Sequence, residues 1–456
     1  MTDTPDVLIL GGGSGGYATA FRAAQLGKTV AIVEEDKVGG TCLHRGCIPT
    51  KALIHAAEVA DTVAHAPSIG IGATQGPIDM TAVHRYKDGI VARLYKGLQG
   101  LVGSHRVDVV HGTGHYTGGT SVRVGDRTLT GSSLVIATGS RVRSLPGLEL
   151  GGRILSSDDA LSLPEVPHRV IVLGGGVIGV EFASIWASLG AEVTIVEALP
   201  RLVSAEDEWT SKQLTRAFRK RGILIKTDTR FAGATQDPKS VTVTVESGET
   251  LVADVLLVAV GRDPRTSGIG LSEGGIRTDA RGFIETDENL RASVDGVHAV
   301  GDVVAGPQLA HRGFQQGIFV ADTIAGRAPI AVDDVNIPRV GYCTPEVASV
   351  GLTEARAREQ YAEVQSTVYD LSGNGKSQIL GTTGGVKLVR VVGGAIVGIH
   401  MVGERVGELI GEAQLVVNWG AHPDEVAHLV HAHPTQNEAF GEAHLALAGR
   451  PLHAHA

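Results

Sequence analysis

The chain has 456 residues, with Lys+Arg 40 against Asp+Glu 49 and a formal net charge of −9, an acidic balance that argues against general affinity for nucleic acid or anionic membrane. The length corresponds to about three domains and buries roughly three quarters of the unfolded chain's surface without disulfide or metal staples. No apolar run approaches the roughly 20 residues that cross a bilayer. The start, Met-Thr-Asp-Thr-Pro, carries no basic, apolar leader, so a cytoplasmic protein is expected.

Glycine is unusually frequent, 62 residues, about twice its usual share of roughly 7%, and serves tight turns and close backbone approach to ligands. The first element is a buried strand, Val-Leu-Ile-Leu at 7–10. It runs into Gly11-Gly-Gly13-Ser-Gly-Gly16, an alanine-rich helix over 17–26, and a second strand over 29–33 that ends at Glu34. Strand, glycine turn, helix, strand and acid make the dinucleotide-binding βαβ unit. Helix N-terminal amides and the dipole stabilise a pyrophosphate, the glycines let it approach, and the acid accepts ribose hydroxyls.

Next comes Gly39-Gly-Thr-Cys42-Leu-His-Arg-Gly-Cys47-Ile-Pro-Thr-Lys51, with two of the chain's 3 cysteines. In an ideal helix, positions five apart have Cα atoms about 8–9 Å apart, whereas a disulfide needs less than about 7 Å. The pair can therefore bridge only where the helix is interrupted, and Gly46 permits that. Redox chemistry beside the first nucleotide motif is the leading reading. Two buried thiols, or half of a zinc site with further ligands elsewhere, are the blander ones.

Short alternating strands over 107–110 and 121–124, then an apolar strand and glycine turn over 134–139, complete the first unit. The pattern then returns. Val-Ile-Val-Leu at 170–173, Gly174-Gly-Gly176-Val-Ile-Gly179, a helix through Leu189 and a strand over 193–196 end at Glu197. An alternating strand over 241–245 and an apolar strand and turn over 255–261 follow. Each copy reads as a parallel sheet with a small antiparallel insert. Two nucleotide motifs point to two cofactors, or to a cofactor and a co-substrate. Glu197 can hydrogen-bond a 2′-hydroxyl and repels a 2′-phosphate, which favours NAD over NADP. Arg201, close by in sequence, reads as a solvated surface charge.

Residues 262–331 include Gly296-Val-His-Ala-Val-Gly301-Asp302, a strand ending in glycine and aspartate. From about 335 the texture changes to an antiparallel hairpin, 387–392 and 395–401 around Gly393-Gly394, then helices over 404–419 and 436–448. In His431-Ala-His433-Pro-Thr435-Gln-Asn-Glu438, Pro434 biases His433 away from helix. Thr435 and Glu438 fit a capping box. Alternatively, the Glu438 carboxylate holds the tautomer and charge of His433 while that imidazole moves a proton. His431, His453 and His455 read as surface groups.

Taken together, Cys42-x4-Cys47 with Lys51, the second glycine motif with Glu181, Gly301-Asp302 and His433-Pro-Thr-x-x-Glu438 resemble the FAD-dependent pyridine nucleotide–disulfide oxidoreductases, and within them the dihydrolipoamide dehydrogenases. The resemblance covers essentially the whole chain. It implies an α/β fold of two Rossmann-like dinucleotide-binding domains plus a C-terminal α+β dimerisation domain. FAD binding is expected from 1–140 with 262–334, NAD binding from 141–261, and the interface from 335–456. It implies FAD on Gly11, Gly13, Gly16 and Glu34, with Lys51 beside the flavin. Gly114, Thr138, Gly139, Ser140, Asp302, Leu309, Ala310 and His311 add contacts. NAD, as co-substrate, falls to Gly174, Gly176, Gly179, Glu181, Glu197 and Gly261, with Glu181 also pairing with Lys51.

The implied activity is NAD-dependent oxidation of protein-bound dihydrolipoamide by a homodimer, each C-terminal domain completing the partner's active site. The partners would be lipoyl domains of acyltransferases in 2-oxo acid dehydrogenase complexes, or the carrier protein of glycine cleavage. In that scheme His433 takes the substrate proton, Cys42 is the exchange sulfur and Cys47 passes electrons to the flavin. His44-Arg45 departs from the Asn-Val of many members, and the positive charge there is expected to depress a thiol pKa. The nearest alternative is a reductase of another small disulfide. An NAD-binding scaffold is a third reading, and it would have no use for Cys42, Cys47 and His433 together. Cys343 reads as a packing residue.

Overall fold

A computed structural model describes residues 4–453, so His455 lies outside the described residues. The chain divides into two compact units. One comprises 1–53, 81–143 and 262–334, the other 54–80, 144–261 and 335–456.

The first unit is built on a five-stranded parallel sheet, ordered Val297–Ala299, Ser133–Ile136, Val7–Leu10, Val30–Glu34, Asp108–His111. Val7–Leu10 is buried along its whole length, as expected of a parallel strand covered on both faces. The helix Ser14–Gln25 starts at the glycine turn, three residues earlier than expected, because the turn's last glycines are already helical. The expected 107–110 strand does not belong to the antiparallel insert. It closes the parallel sheet as Asp108–His111 beside Val30–Glu34, and the insert is Gly114–Gly118, Ser121–Val124 and Arg127–Thr130. Four-residue β-branched runs carry the same local pattern in either sheet.

The second unit repeats this plan. Its parallel sheet is ordered Leu224–Lys226, Glu192–Val196, Arg169–Leu173, Val255–Val258, Ile154–Leu155, with an antiparallel insert of Phe231–Gln236, Val241–Val245 and Thr250–Ala253. The same unit holds an antiparallel sheet ordered Arg339–Gly341, Glu346–Gly351, Ile396–Gly403, Gly385–Val391, Val364–Asp370. Helices Val406–Asn418 and Glu438–Leu447 pack on it through Ile410, Ala413, Phe440 and Ala443. The hairpin expected around Gly393-Gly394 is present, with a bulge at Val389/Arg390.

Candidate functional site

The two glycine turns are built alike. Gly11 and Gly174 adopt φ of +104° and +110°, a region that favours glycine. A Cβ on either would lie 2.4 Å from a carbonyl of the adjacent strand's end, Ala137 or Ala259. A Cβ on Gly16 or Gly179 would meet the carbonyl oxygen of Gly11 or Gly174 at 1.9 Å. By contrast, Gly13 and Gly176 face open space, and each caps its helix without a side chain. The two 12-residue helices therefore open without a side-chain cap, an arrangement that suits an anionic ligand.

The acids are set by the same device in both copies. Glu34 accepts from the Gly12 and Asp36 amides at 2.7 and 2.9 Å, and Glu197 from the Gly175 and Leu199 amides at 2.5 and 2.7 Å. A carboxylate so fixed keeps lone pairs for a ribose. Arg201 is not the solvated charge expected. Its guanidinium donates to the carbonyls of Glu206 (2.7 Å) and Ser204 (2.8 Å) and to Ser211 Oγ (2.8 Å), because the chain folds back around it within five residues.

The remaining predicted flavin contacts come from separate segments of the first unit. Thr138 Oγ1 donates to the Arg265 carbonyl at 2.7 Å, and the Gly139 carbonyl accepts from the Arg265 amide at 2.9 Å. Ser140 Oγ donates to Asp302 Oδ2 at 2.6 Å. Leu309 caps the helix Ala310–Ile324, with His311 exposed in its first turn. Gly114 is buried, and a Cβ there would strike Leu10, Val33 and Val122, so core packing explains that glycine. Gly261, in the second unit, takes φ of +114°.

Sequence reasoning missed two charged groups in this unit. Arg265 is paired with Glu35, the neighbour of Glu34. Buried Arg312 holds Asp334 at 2.6 Å and the Val304 and Ala305 carbonyls at 3.2 and 2.6 Å, fixing the loop after Asp302. Only the adjacency of Arg312 to His311 signalled it.

The cysteines straddle a helix interruption. Helix Gly40–Arg45 ends at Gly46, whose φ −143° and ψ −108° are not helical, and helix Cys47–His65 starts anew. The two sulfur side chains are hydrogen-bonded to each other, and that bond, with burial, pushes the Cys42 thiol up while Lys51 pulls it down. Burial and the two cysteines raise the Tyr17 hydroxyl to about 12. The expected effect of Arg45 is not found. Its guanidinium faces Asp36 at 3.5 Å, and the cation acting on Cys42 is Lys51. His44 likewise turns to the Val38 carbonyl at 3.0 Å. Among the described residues no three His, Cys, Asp or Glu side chains gather at metal-ligating spacing.

His433 is exposed, and its Nδ1 lies 2.7 Å from Glu438 Oε1. The other carboxylate oxygen accepts from the Thr435 amide at 2.8 Å. Burial would raise the Glu438 carboxyl, but the Thr435 amide and His433 outweigh it and hold it below the usual range. The capping box is half formed, because Thr435 Oγ1 donates to the Ala432 carbonyl instead of accepting from a helix amide. The Glu438 carboxylate thus contacts both His433 and the Thr435 amide.

His431 is not a surface group. It is half-buried, with Nε2 3.0 Å from Glu412 Oε1, and that bond raises its pKa. Glu412 also accepts from Asn437 Nδ2 at 2.6 Å, so one carboxylate brackets both ends of the His433–Glu438 segment. His453 is exposed and paired with Glu442 at 2.8 Å. Glu181 is buried on helix Val177–Ser188 and accepts from the Tyr342 amide at 3.0 Å. Burial pushes the neighbouring Cys343 thiol up, keeping it protonated.

Residues 5–317 match the family described as pyridine nucleotide-disulphide oxidoreductase, and 337–444 match that family's dimerisation domain. The chain belongs to the pyridine nucleotide-disulphide oxidoreductase family. It is 38% identical to a dihydrolipoyl dehydrogenase of Bacillus subtilis over 98% of this chain and 97% of that one. Against a dihydrolipoyl dehydrogenase of Geobacillus stearothermophilus the identity is 39% with the same coverage. The crystal structure of LpdA (Rv3303c) from Mycobacterium tuberculosis superposes with a TM-score of 0.90 at 25% identity, covering 97% of this chain and 99% of that chain. The HOCl-induced flavoprotein disulfide reductase RclA from Escherichia coli gives 0.87 at 27%, with 96% and 99% covered. As a member of the pyridine nucleotide-disulphide oxidoreductases, the chain is a flavoprotein oxidoreductase that uses FAD and NAD. Among the described residues no helix is long and apolar enough to cross a membrane.

Proposed function

We propose that this protein oxidises dihydrolipoamide carried on a lipoyl-bearing protein, with NAD as electron acceptor. The observation that carries the reading is the contact between the Cys42 and Cys47 sulfurs at the Gly46 break, beside a chain-wide likeness to dihydrolipoyl dehydrogenases. Gly11, Gly13, Gly16 and Glu34 would hold FAD, with Thr138, Gly139, Ser140, Asp302 and the 309–311 helix start. Gly174, Gly176, Gly179 and Glu197 would hold NAD. Lys51, whose cation acts on Cys42, would serve the flavin, and Glu181, on the helix after the second glycine turn, would serve the nicotinamide.

His433, oriented by Glu438, acts on the partner subunit's sulfur pair and takes the proton of a dihydrolipoyl thiol, since only the thiolate is a competent nucleophile. The thiolate attacks Cys42 of the oxidised pair, the Cys42–Cys47 bond breaks, and Cys47 leaves as a thiolate. The second lipoyl thiol then attacks the mixed disulfide, releasing the closed lipoyl ring and a reduced Cys42. Bound FAD supplies the two-electron relay from the reduced pair to the pyridine nucleotide. Anaerobic addition of dihydrolipoamide to the flavin-loaded protein should reduce the flavin, and NAD should reoxidise it. Failure with dihydrolipoamide but turnover of another disulfide with NADH would favour the alternative reductase.

A further inference from the structure

The five-stranded antiparallel sheet of the second unit carries a row of polar side chains across four of its strands. Arg339 pairs in register with Ser349, Ser349 with His400, and His400 with Lys387. Ser349, His400 and Lys387 are buried, and Arg339 is half-buried. Polar groups placed inside an apolar sheet are costly unless paired, and this row meets two adjacent carboxylates. Glu206 takes Arg339 Nε at 3.0 Å on one oxygen and Ser349 Oγ on the other. Asp207 takes Lys387 Nζ at 2.7 Å and the Glu354 amide at 2.9 Å, and the same Lys387 reaches Glu354 at 2.8 Å. His400 turns its Nε2 to the Leu352 carbonyl at 3.0 Å.

Glu206 and Asp207 end the 199–207 loop, which starts just after Glu197. The loop lies over the second glycine turn. Val203 donates its amide to the Gly175 carbonyl at 2.8 Å, and fully buried Leu202 sits where a Cβ on Gly175 would be. Val203 itself has φ of +41°, a genuine outlier for a β-branched residue. Such strain persists only where the surroundings over-determine it. Here the Val203 amide is tied to the glycine turn, and its carbonyl accepts at 2.8 Å from the amide of Glu206, whose side chain the polar row holds. Within this loop the Glu206 and Ser204 carbonyls occupy the guanidinium of Arg201. A well-packed apolar row often serves stability as well as a buried ionic one, so stability alone does not account for this row.

We infer, resting on the NAD reading above, that Arg339, Ser349 and Lys387 are positioning residues for the NAD site. They hold the 199–207 loop against the 174–179 turn and keep Arg201 engaged on its own loop. The C-terminal sheet thereby sets both the affinity for NAD and its preference over NADP.

The test uses flavin-loaded Arg339→Met and Ser349→Ala, the second removing a single hydroxyl and no charge. Direct titration with NADH should show binding weakened about tenfold in Arg339→Met and about threefold in Ser349→Ala, the scale of one charge-assisted and one neutral hydrogen bond. The KM for NAD should rise in step while kcat holds, and the NAD:NADP ratio of kcat/KM should narrow. Adding Arg201→Met to Arg339→Met should restore that ratio. Unchanged NADH binding and selectivity in both folded variants would overturn the inference, as would an equal loss in every step including flavin reduction by dihydrolipoamide. If wild-type protein itself fails to reduce its flavin with dihydrolipoamide, the dithiol reading fails instead, whatever the NADH titrations show.

Discussion

Because the two glycine turns share one steric lock, the same substitution interrogates two cofactors separately. In Gly179→Ala the new methyl carbon would lie 1.9 Å from the Gly174 carbonyl oxygen and 3.2 Å from Val172 Cγ1. Interiors are close-packed, and the turn and the helix start must part by about 1 Å to restore van der Waals separation, at an overpacking cost of about 1–3 kcal/mol. The displaced atoms are those that would receive the pyrophosphate, so the cost should fall on NAD. Converted to affinity it is a rise of about 5- to 150-fold in the KM for NAD. Steady-state titration of NAD at saturating dihydrolipoamide reads it, with flavin absorbance and anaerobic flavin reduction by dihydrolipoamide as controls that should not move. Gly16→Ala creates the same 1.9 Å contact with the Gly11 carbonyl, and it should cost flavin occupancy instead. A Gly179→Ala protein whose KM for NAD stays within about twofold of wild type would refute the assignment of that turn to the pyrophosphate.

Replacing His433 by Gln should slow flavin reduction by dihydrolipoamide by about 100-fold or more, the usual range for a lost general base, and leave flavin reduction by NADH intact. Equal loss in both half-reactions would refute the role. Thiol titration should be unmoved in Arg45→Val, whose charge is matched by Asp36, and moved upward in Lys51→Met, which removes the cation acting on Cys42. Glu346 is raised to about 7 by burial, with Glu58, Glu408 and Glu404 adding to it against the Gly407 amide. Between its ordinary 4.5 and about 7 the folded state binds the extra proton, so this group's contribution to stability falls as pH rises through that window. Glu346→Gln should therefore gain about 1–2 kcal/mol at pH 8, a figure discounted for partial exposure, and little at pH 4 by urea denaturation.

The glycine turns and their acids were legible because strand, turn and helix are local, and 18 residues after Gly16 the chain still places Glu34 beside its own turn. The cysteine spacing stated a condition, an interruption at Gly46, that the backbone meets. What stayed hidden depends on contacts between distant segments. Lys387 looks like an outward lysine in an apolar strand until strand register sets it beside His400 and Asp207. His431 reads as exposed until Glu412, on the helix Val406–Asn418, arrives beside it. Arg45 and Arg201 look like free charges for the same reason, since sequence spacing does not say which way a guanidinium turns.

The Gly46 interruption makes the two sulfurs chemically unequal. Cys42 sits within a six-residue helix, whereas Cys47 is the opening residue of a 19-residue one. Backbone amides point outward at that opening and favour negative charge there. Burial and the bond to Cys47 push the Cys42 thiol up, so in the proposed reaction the anion of the reduced pair falls to Cys47. Under the proposed reaction, chain direction would then divide the labour, one sulfur trading partners with substrate and the other acting as electron donor.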